Sequence, residues 1–219
     1  MTSVDDLVAA GRRLAGLGLS PGSSGNISVR VGDSIVMSPT GSDLAALDAA
    51  RLSVLDFEGN LLSGPKASKE YPFHRAMYRR SEDTGAIVHL HSTNAVGVSC
   101  LEPWSMMSAI PPITPYFVMR VGQTPLIPYA APGDSSQAGI IENLDFPFGA
   151  VLLQNHGSIT SGVTMAAAVE AAIELEEACK LVLLLGAKPA RYLSSEEALT
   201  LASTYASAWT ATDDGTLRR

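Results

Sequence analysis

Basic residues are scarce. The chain has 15 Lys and Arg against 22 Asp and Glu, a formal net charge of −7, and only four of its residues are lysine. No basic face or stripe is visible, which argues against a nucleic-acid partner, because such a groove needs clustered cations to meet the phosphates. Cysteine is scarcer still. Cys100 and Cys179 lie far apart, so there is no disulfide framework; a reducing cytoplasm is expected, with both thiols read as small buried groups. No secretory signal is expected, since Asp5 and Asp6 stand where basic residues and an apolar run belong. No membrane span is expected, and Pro103, Pro111, Pro112 and Pro115 break up the uncharged stretch 103–119. Apolar residues, in contrast, make up 46% of the 219 positions, enough for one sizeable core. A phosphorylated or carboxylated small substrate fits this balance, because a few cations inside one pocket outweigh a negative exterior.

A first helix is predicted over residues 4–17, with Ser3 as N-cap, Gly18 closing it, and one apolar stripe from Leu7, Val8, Leu14 and Leu17. A turn at 20–25 leads to an alternating strand, 26–31, which pairs through Gly32-Asp33 with 34–38. Residues 53–56 and 61–62 form a second hairpin. Ser68 is read as the cap of a helix to Arg80, and residues 86–90 and 150–153 as buried strands. Residues 102–133, with seven prolines, read as an irregular connection with short strands. Thr164 caps a long helix to Leu185, ended by Gly186, on which Glu176 and Lys180 read as a solvated i,i+4 pair. A last helix starts after Ser194. Hairpins with interspersed helices, and no repeat or linker, predict one α/β domain over residues 1–219 with a largely antiparallel sheet.

Three of the four histidines fall at strand ends or loop starts. His89 and His91 are two apart on an apolar strand, so both project from one face and can hold one cation. His156 follows the strand 150–153 in Gln154-Asn155-His156-Gly157, where Gly157 is expected to turn the backbone and aim the imidazole across the sheet edge. Three histidines with an open position are a catalytic zinc arrangement, with Zn–N distances of about 2.0–2.1 Å. Each alone also fits a hydrogen-bonded core histidine, and spacing does not place His156 beside the pair. Glu70 is read in the first turn of its helix, where the dipole favours any carboxylate; beside a metal it can move a proton on a bound substrate. His74, one turn on, is read as packing. The turns Ser24-Gly25-Asn26 and Ser38-Pro39-Thr40-Gly41 suit plain hairpins, and also a phosphate cradle of N–H groups and hydroxyls. Neither matches a Walker or dinucleotide fingerprint.

Together, Ser24-Gly25-Asn26-Ile27-Ser28, Ser38-Pro39-Thr40-Gly41, Ser68-Lys69-Glu70, His89-Leu90-His91 and Asn155-His156-Gly157 resemble the class II aldolase/adducin family, in family order and over most of the chain. The resemblance implies a three-layer α/β/α domain with a central, mostly antiparallel sheet and helices on both faces. It implies zinc, or another divalent metal, on His89, His91 and His156, with Glu70 as acid/base. It further implies phosphate binding by Gly25, Asn26, Thr40, Gly41 and Ser68, and a cyclic homotetramer whose sites lie between subunits. Tyr116 looks like the tyrosine that a neighbouring subunit supplies in the aldolases, and it also suits an amphipathic aromatic at an interface.

Lys69 departs from the aldolase and epimerase pattern, which has a second serine there. A cation at a helix N-terminus costs stability, so a bound anion would give it a reason. Ser68-Lys69-Glu70, Val88 to Thr93 and Pro112 to Arg120 resemble a branch of decarboxylases acting on 3-oxo-tetronate 4-phosphates. Loss of CO2 there and aldol cleavage of a ketose 1-phosphate leave the same metal-stabilised ene-diolate of dihydroxyacetone phosphate, so one site suits either reaction. Lys69 then contacts the phosphate or the carboxylate, and Arg120 is a second anion contact or an exposed surface arginine. The runners-up are a fuculose-phosphate-type aldolase, a sugar-phosphate 4-epimerase and an adducin-like oligomerisation module. A metal-free serine hydrolase is set aside, because the chain has no Gly-x-Ser-x-Gly elbow.

Overall fold

The computed structural model describes residues 3–131 and 134–210. Helix α1 (Val4–Gly16) starts at a capping box: the Ser3 hydroxyl accepts from the Asp6 N–H, and the Asp6 carboxylate accepts from the Ser3 N–H. Strands β1 (Asn26–Val31) and β2 (Ser34–Met37) form the hairpin over Gly32-Asp33, pairing Val31 with Ser34. Strands β3 (Ser53–Leu55) and β4 (Leu61–Ser63) form the second. Then come α2 (Tyr71–Arg80), β5 (Ala86–Leu90), α3 (Thr93–Ser99), α4 (Pro115–Arg120), β6 (Leu126–Ile127), α5 (Ser136–Asn143), β7 (Ala150–Leu153), β8 (Gly157–Gly162), α6 (Met165–Leu185) and α7 (Ser195–Tyr205).

The strands form one sheet in the order β4-β3-β2-β1-β5-β8-β7-β6. Every pair is antiparallel except β6 with β7. Strand alternation sorts the apolar residues between its two faces. Ile27, Val29, Ala86, Val88 and Leu90 pack with Leu7, Leu14, Ala168 and Ala172 of α1 and α6. Farther along that face, Ala150 and Leu152 meet α3, α4, α6 and α7. On the other face, Ile87, Val151, Leu153 and Ile159 pack against α2 and α5. This is the expected three-layer α/β/α arrangement. Among the described residues, no helix is long and apolar enough to cross a membrane.

Four local expectations are corrected. Helix α2 begins at Tyr71 and not at Ser68: Pro72 sits in its first turn, Glu70 occupies the cap position without a capping bond, and the Ser68 hydroxyl instead accepts from the Glu70 N–H at 3.2 Å. The stretch 102–133 holds α4, capped by Thr114 onto Phe117 N–H, as well as β6; prolines at first-turn positions start helices as readily as they stop them. Cys100 is exposed at the end of α3, while Cys179 is buried as expected.

The last correction concerns Glu176, which is 5% exposed and not paired with Lys180. Its carboxylate accepts from the Ser92 hydroxyl, the Asn94 and Ala95 backbone N–H groups and the Asn94 amide, at 2.7–2.9 Å. Those are first-turn donors of α3 that lack intrahelical partners, and α6 supplies the acceptor. Lys180 pairs with Glu177 instead, at 3.6 Å. Glu176→Ala is expected to lower unfolding free energy by roughly 2–5 kcal/mol, read as a fall in urea midpoint at unchanged slope. Glu176→Gln, which keeps one acceptor oxygen, should lose less.

Candidate metal centre

Strand β5, the β7–β8 loop and the segment before α2 deliver the candidate ligands to the sheet face that α2 covers. In register, Asn26 of β1 stands beside His89 of β5, and Leu90 beside Ser158 of β8. His89 and His91, two apart, project to this face together. His156 lies in the three-residue loop between β7 and β8. There the left-handed residue is Asn155, at φ 57°, and not Gly157 as the sequence suggested. Gly157 is needed for another reason: a side chain on it would strike the Leu90 carbonyl and the His91 ring. Gly25, at φ 80°, similarly lies against the His89 carbonyl. Two glycines thus let their loops close on the end of β5 from both sides. Glu70, released from the helix as its cap residue, reaches the same point from above.

One ligand atom each from Glu70, His89, His91 and His156 lie within 4.8 Å of one another. His91 Nε2 is 3.0 Å from both His89 Nε2 and His156 Nε2, and Glu70 approaches His89 at 3.4 Å and His156 at 3.3 Å. Nitrogens about 2.0–2.1 Å from a shared tetrahedral zinc would themselves stand about 3.3–3.4 Å apart, close to the spacings in this cluster. Its chemistry agrees. The His89 Nδ1–H donates to the Ser158 carbonyl at 2.8 Å, which turns Nε2 toward the other cluster atoms. Three imidazole nitrogens and a carboxylate converging on one point need positive charge among them, and a divalent metal fits.

Burial pushes the Glu70 carboxyl up, but hydrogen bonds from His156 and His89, the His89 charge and the Asn26 amide together hold it well below the usual carboxylate range. Burial, then the neighbouring His89 and His156, lowers His91 to about 4, so it stands neutral and available as a ligand near pH 7. The buried Phe73 ring meets the His89 and His156 rings edge-on at 6.3 Å and narrows their rotation.

A cleft of about 310 Å³ opens over the cluster, lined by Lys69, Glu70, His91 and His156 and by Tyr129 and Gln154 opposite. The exposed Thr40-Gly41 turn joins the segment before Ser68, with Thr40 N–H donating to the Lys66 carbonyl and Pro39 bridging Ala67. Tyr116 and Arg120 do not line this cleft. Both lie on α4, the Arg120 guanidinium 5.1 Å from the Tyr116 ring, and Arg120 pairs with Glu170 at 3.6 Å and Glu174 at 4.0 Å. With a side chain 47% exposed and paired only with α6 carboxylates, Arg120 fits the exposed-surface reading. His74, read as packing, is instead hydrogen-bonded to Asn26 and Ser28. Asn26 is 4% exposed and its amide donates to Glu70 at 2.6 Å, a role the phosphate assignment overlooked. The paired spacings Asn26/Ser28 and His74/Tyr78 were the available signal. His91→Ala is expected to cut bound divalent metal at least about tenfold in elemental analysis of the folded protein, as loss of one of three ligands predicts.

The chain matches the family model described as Class II Aldolase and Adducin N-terminal domain over residues 5–183. It is 45% identical to a 3-oxo-tetronate 4-phosphate decarboxylase of Haemophilus influenzae, over 87% of this chain and 91% of that protein. It is 33% identical to the L-fuculose phosphate aldolase of Escherichia coli K12, over 83% of each. Among solved structures, YgbL from Klebsiella pneumoniae superposes with a TM-score of 0.87 at 40% identity, covering 92% of this chain and 99% of that one. Decarboxylation and aldol cleavage, for which the two named relatives are known, each break a carbon–carbon bond. A family match over most of the chain, with relatives of this closeness along nearly their whole length, makes the chain a member of the class II aldolase/adducin family and a carbon–carbon lyase within it.

Proposed function

We propose that the chain is a 3-oxo-tetronate 4-phosphate decarboxylase that needs a divalent metal, zinc by preference, and yields dihydroxyacetone phosphate and CO2. The observation that carries this reading is Lys69 on the wall of the cleft above the histidine–glutamate cluster, in a chain 45% identical to a relative named for that reaction. A β-keto acid phosphate brings two anionic ends, and a cation at the mouth suits either. His89, His91 and His156 hold the metal through Nε2. When bound, the metal supplies positive charge for the electron pair released as the carbon–carbon bond breaks.

The reaction consumes one proton. The bond from the carboxylate carbon to carbon 2 breaks, its electrons pass onto the 3-keto oxygen, CO2 leaves, and carbon 2 is protonated. Glu70 is assigned that transfer. With His89, His91 and His156 turned to a metal, the Asn26 amide at 2.6 Å would remain to orient the Glu70 carboxylate for that transfer. The Gly25-Asn26 and Thr40-Gly41 turns and Ser68 are assigned to the phosphate, and Lys69 to phosphate or carboxylate. Tyr116, exposed and outside its own chain's cleft, is assigned to a neighbour's site in a homotetramer. One domain over residues 1–219 and a cytoplasmic setting, which suits the unpaired Cys100 and Cys179, complete the proposal.

The aldolase reading keeps a specific support in the 33% identity to an L-fuculose phosphate aldolase. The test is to offer the zinc-loaded protein both substrates and measure the second product, because dihydroxyacetone phosphate is common to both. CO2 from the 3-oxo acid, without aldehyde from fuculose 1-phosphate, is expected; aldehyde without CO2 overturns the decarboxylase. Glu70→Gln should cut turnover at least about 100-fold, the usual scale of a lost acid/base, with metal content unchanged. Metal loss in that variant would make Glu70 a ligand instead.

A further inference from the structure

Behind Glu70 a line of hydrogen bonds runs away from the cleft into the interior. Asn26 Nδ2 lies 2.6 Å from Glu70 Oε2, His74 Nε2 2.6 Å from Asn26 Oδ1, Ser28 Oγ 2.8 Å from His74 Nδ1, and Tyr78 Oη 2.8 Å from Ser28 Oγ. Asn26, Ser28, His74 and Tyr78 are all buried. They come from two elements whose spacings match: two residues along β1 span about 6.6 Å and the four residues from His74 to Tyr78 along α2 about 6 Å, so Asn26 and Ser28 meet His74 and Tyr78. Burying four polar side chains in this way is costly unless every partner is met, and here each is.

We propose that Tyr78, Ser28 and His74 are a positioning relay that fixes the direction of the Asn26 amide and, through it, the orientation of the Glu70 carboxylate. The proposal rests on the acid/base reading of Glu70. Every donor along the line follows from that carboxylate. An ionised Glu70 only accepts, so Asn26 must turn its NH2 toward it and its oxygen toward His74. His74 must then donate from Nε2, leaving Nδ1 to accept from the Ser28 hydroxyl, whose own oxygen accepts from Tyr78. Burial supports the assignment, lowering His74 to about 3 so that the ring is neutral, and keeping the Tyr78 phenol protonated. The relay orients Glu70 but conducts no proton to it, because an amide passes a proton only by becoming its imidic tautomer. The proton consumed in each turnover therefore enters from the cleft.

Two readouts test this. In protein carrying 15N-labelled imidazoles, the His74 signal, assigned by its absence in His74→Phe, is expected as the neutral Nε2–H tautomer at pH 7. A Nδ1–H tautomer or a protonated ring overturns the relay, whatever the enzyme's substrate proves to be. Second, kcat should fall with the number of links left to Glu70: about tenfold in Ser28→Ala and less in Tyr78→Phe, with KM and metal content within about twofold of the parent. Loss of kcat that instead tracks each variant's melting temperature or metal content overturns the proposal. If Glu70→Gln retains full turnover while His74 shows the Nε2–H tautomer, the relay stands and only the acid/base role fails.

Discussion

The hydrogen bond from His89 Nδ1 to the Ser158 carbonyl sits where the constraints on this molecule meet. It links the neighbouring strands β5 and β8, at the point where their pairing brings Leu90 beside Ser158. It also decides which nitrogen of a fully buried histidine faces the cluster. With Nε2 committed inward, His91 and His156 close to hydrogen-bond range around a shared point, and the Glu70 carboxylate completes a donor set suited to a cation. A one-residue slip of β5 against β8 would reverse the face on which both histidines project and dismantle the set at once. The register of an apolar sheet thus specifies the site.

That register is held from both sides. The apolar residues of β1 and β5 pack under α1 and α6, while the alternate positions lie beneath α2 and α5. Gly25 and Gly157 bring neighbouring backbone onto the carbonyls at the end of β5, leaving no room for a side chain. Beyond that end, Glu176 reaches up from α6 to satisfy the first turn of α3, which starts two residues after His91. The site is therefore braced by a helix on each face of the sheet, with α6 supplying an anchor and α2 supplying Glu70.

The resemblance to a lyase family was readable from short motifs because chemistry constrains residue types at fixed spacing. His89-Leu90-His91 on an apolar strand and Asn155-His156-Gly157 after another stood out as candidate ligands, and Ser68-Lys69-Glu70 as a candidate anion contact. The roles of polar residues inside the fold were much less legible. Glu176 and Lys180 have the spacing of an ordinary surface pair, and nothing local reveals that α3 lies over the glutamate. His74 read as a packing residue because its partners, Asn26 and Ser28, are 48 and 46 positions away. Arg120 read as an anion contact or a surface arginine, because its α6 partners Glu170 and Glu174 are distant in sequence.

The sequence by itself determined the element types with strong local signals: the capped helices at Ser3, Thr164 and Ser194, the Gly32-Asp33 hairpin, and the apolar strands at 86–90 and 150–153. It also determined the identity of the chemical groups and the family they resemble, since these depend on residue type and order. Only the tertiary structure decided that His156 joins His89 and His91, that Asn26 serves Glu70, and that Tyr116 stands outside the cleft of its own chain. Periodicity reports which face of an element is apolar, a property of neighbours along the chain. Which polar groups meet across that face depends on register and on the fit of one element's period to another's, and those are set only when the sheet and helices pack.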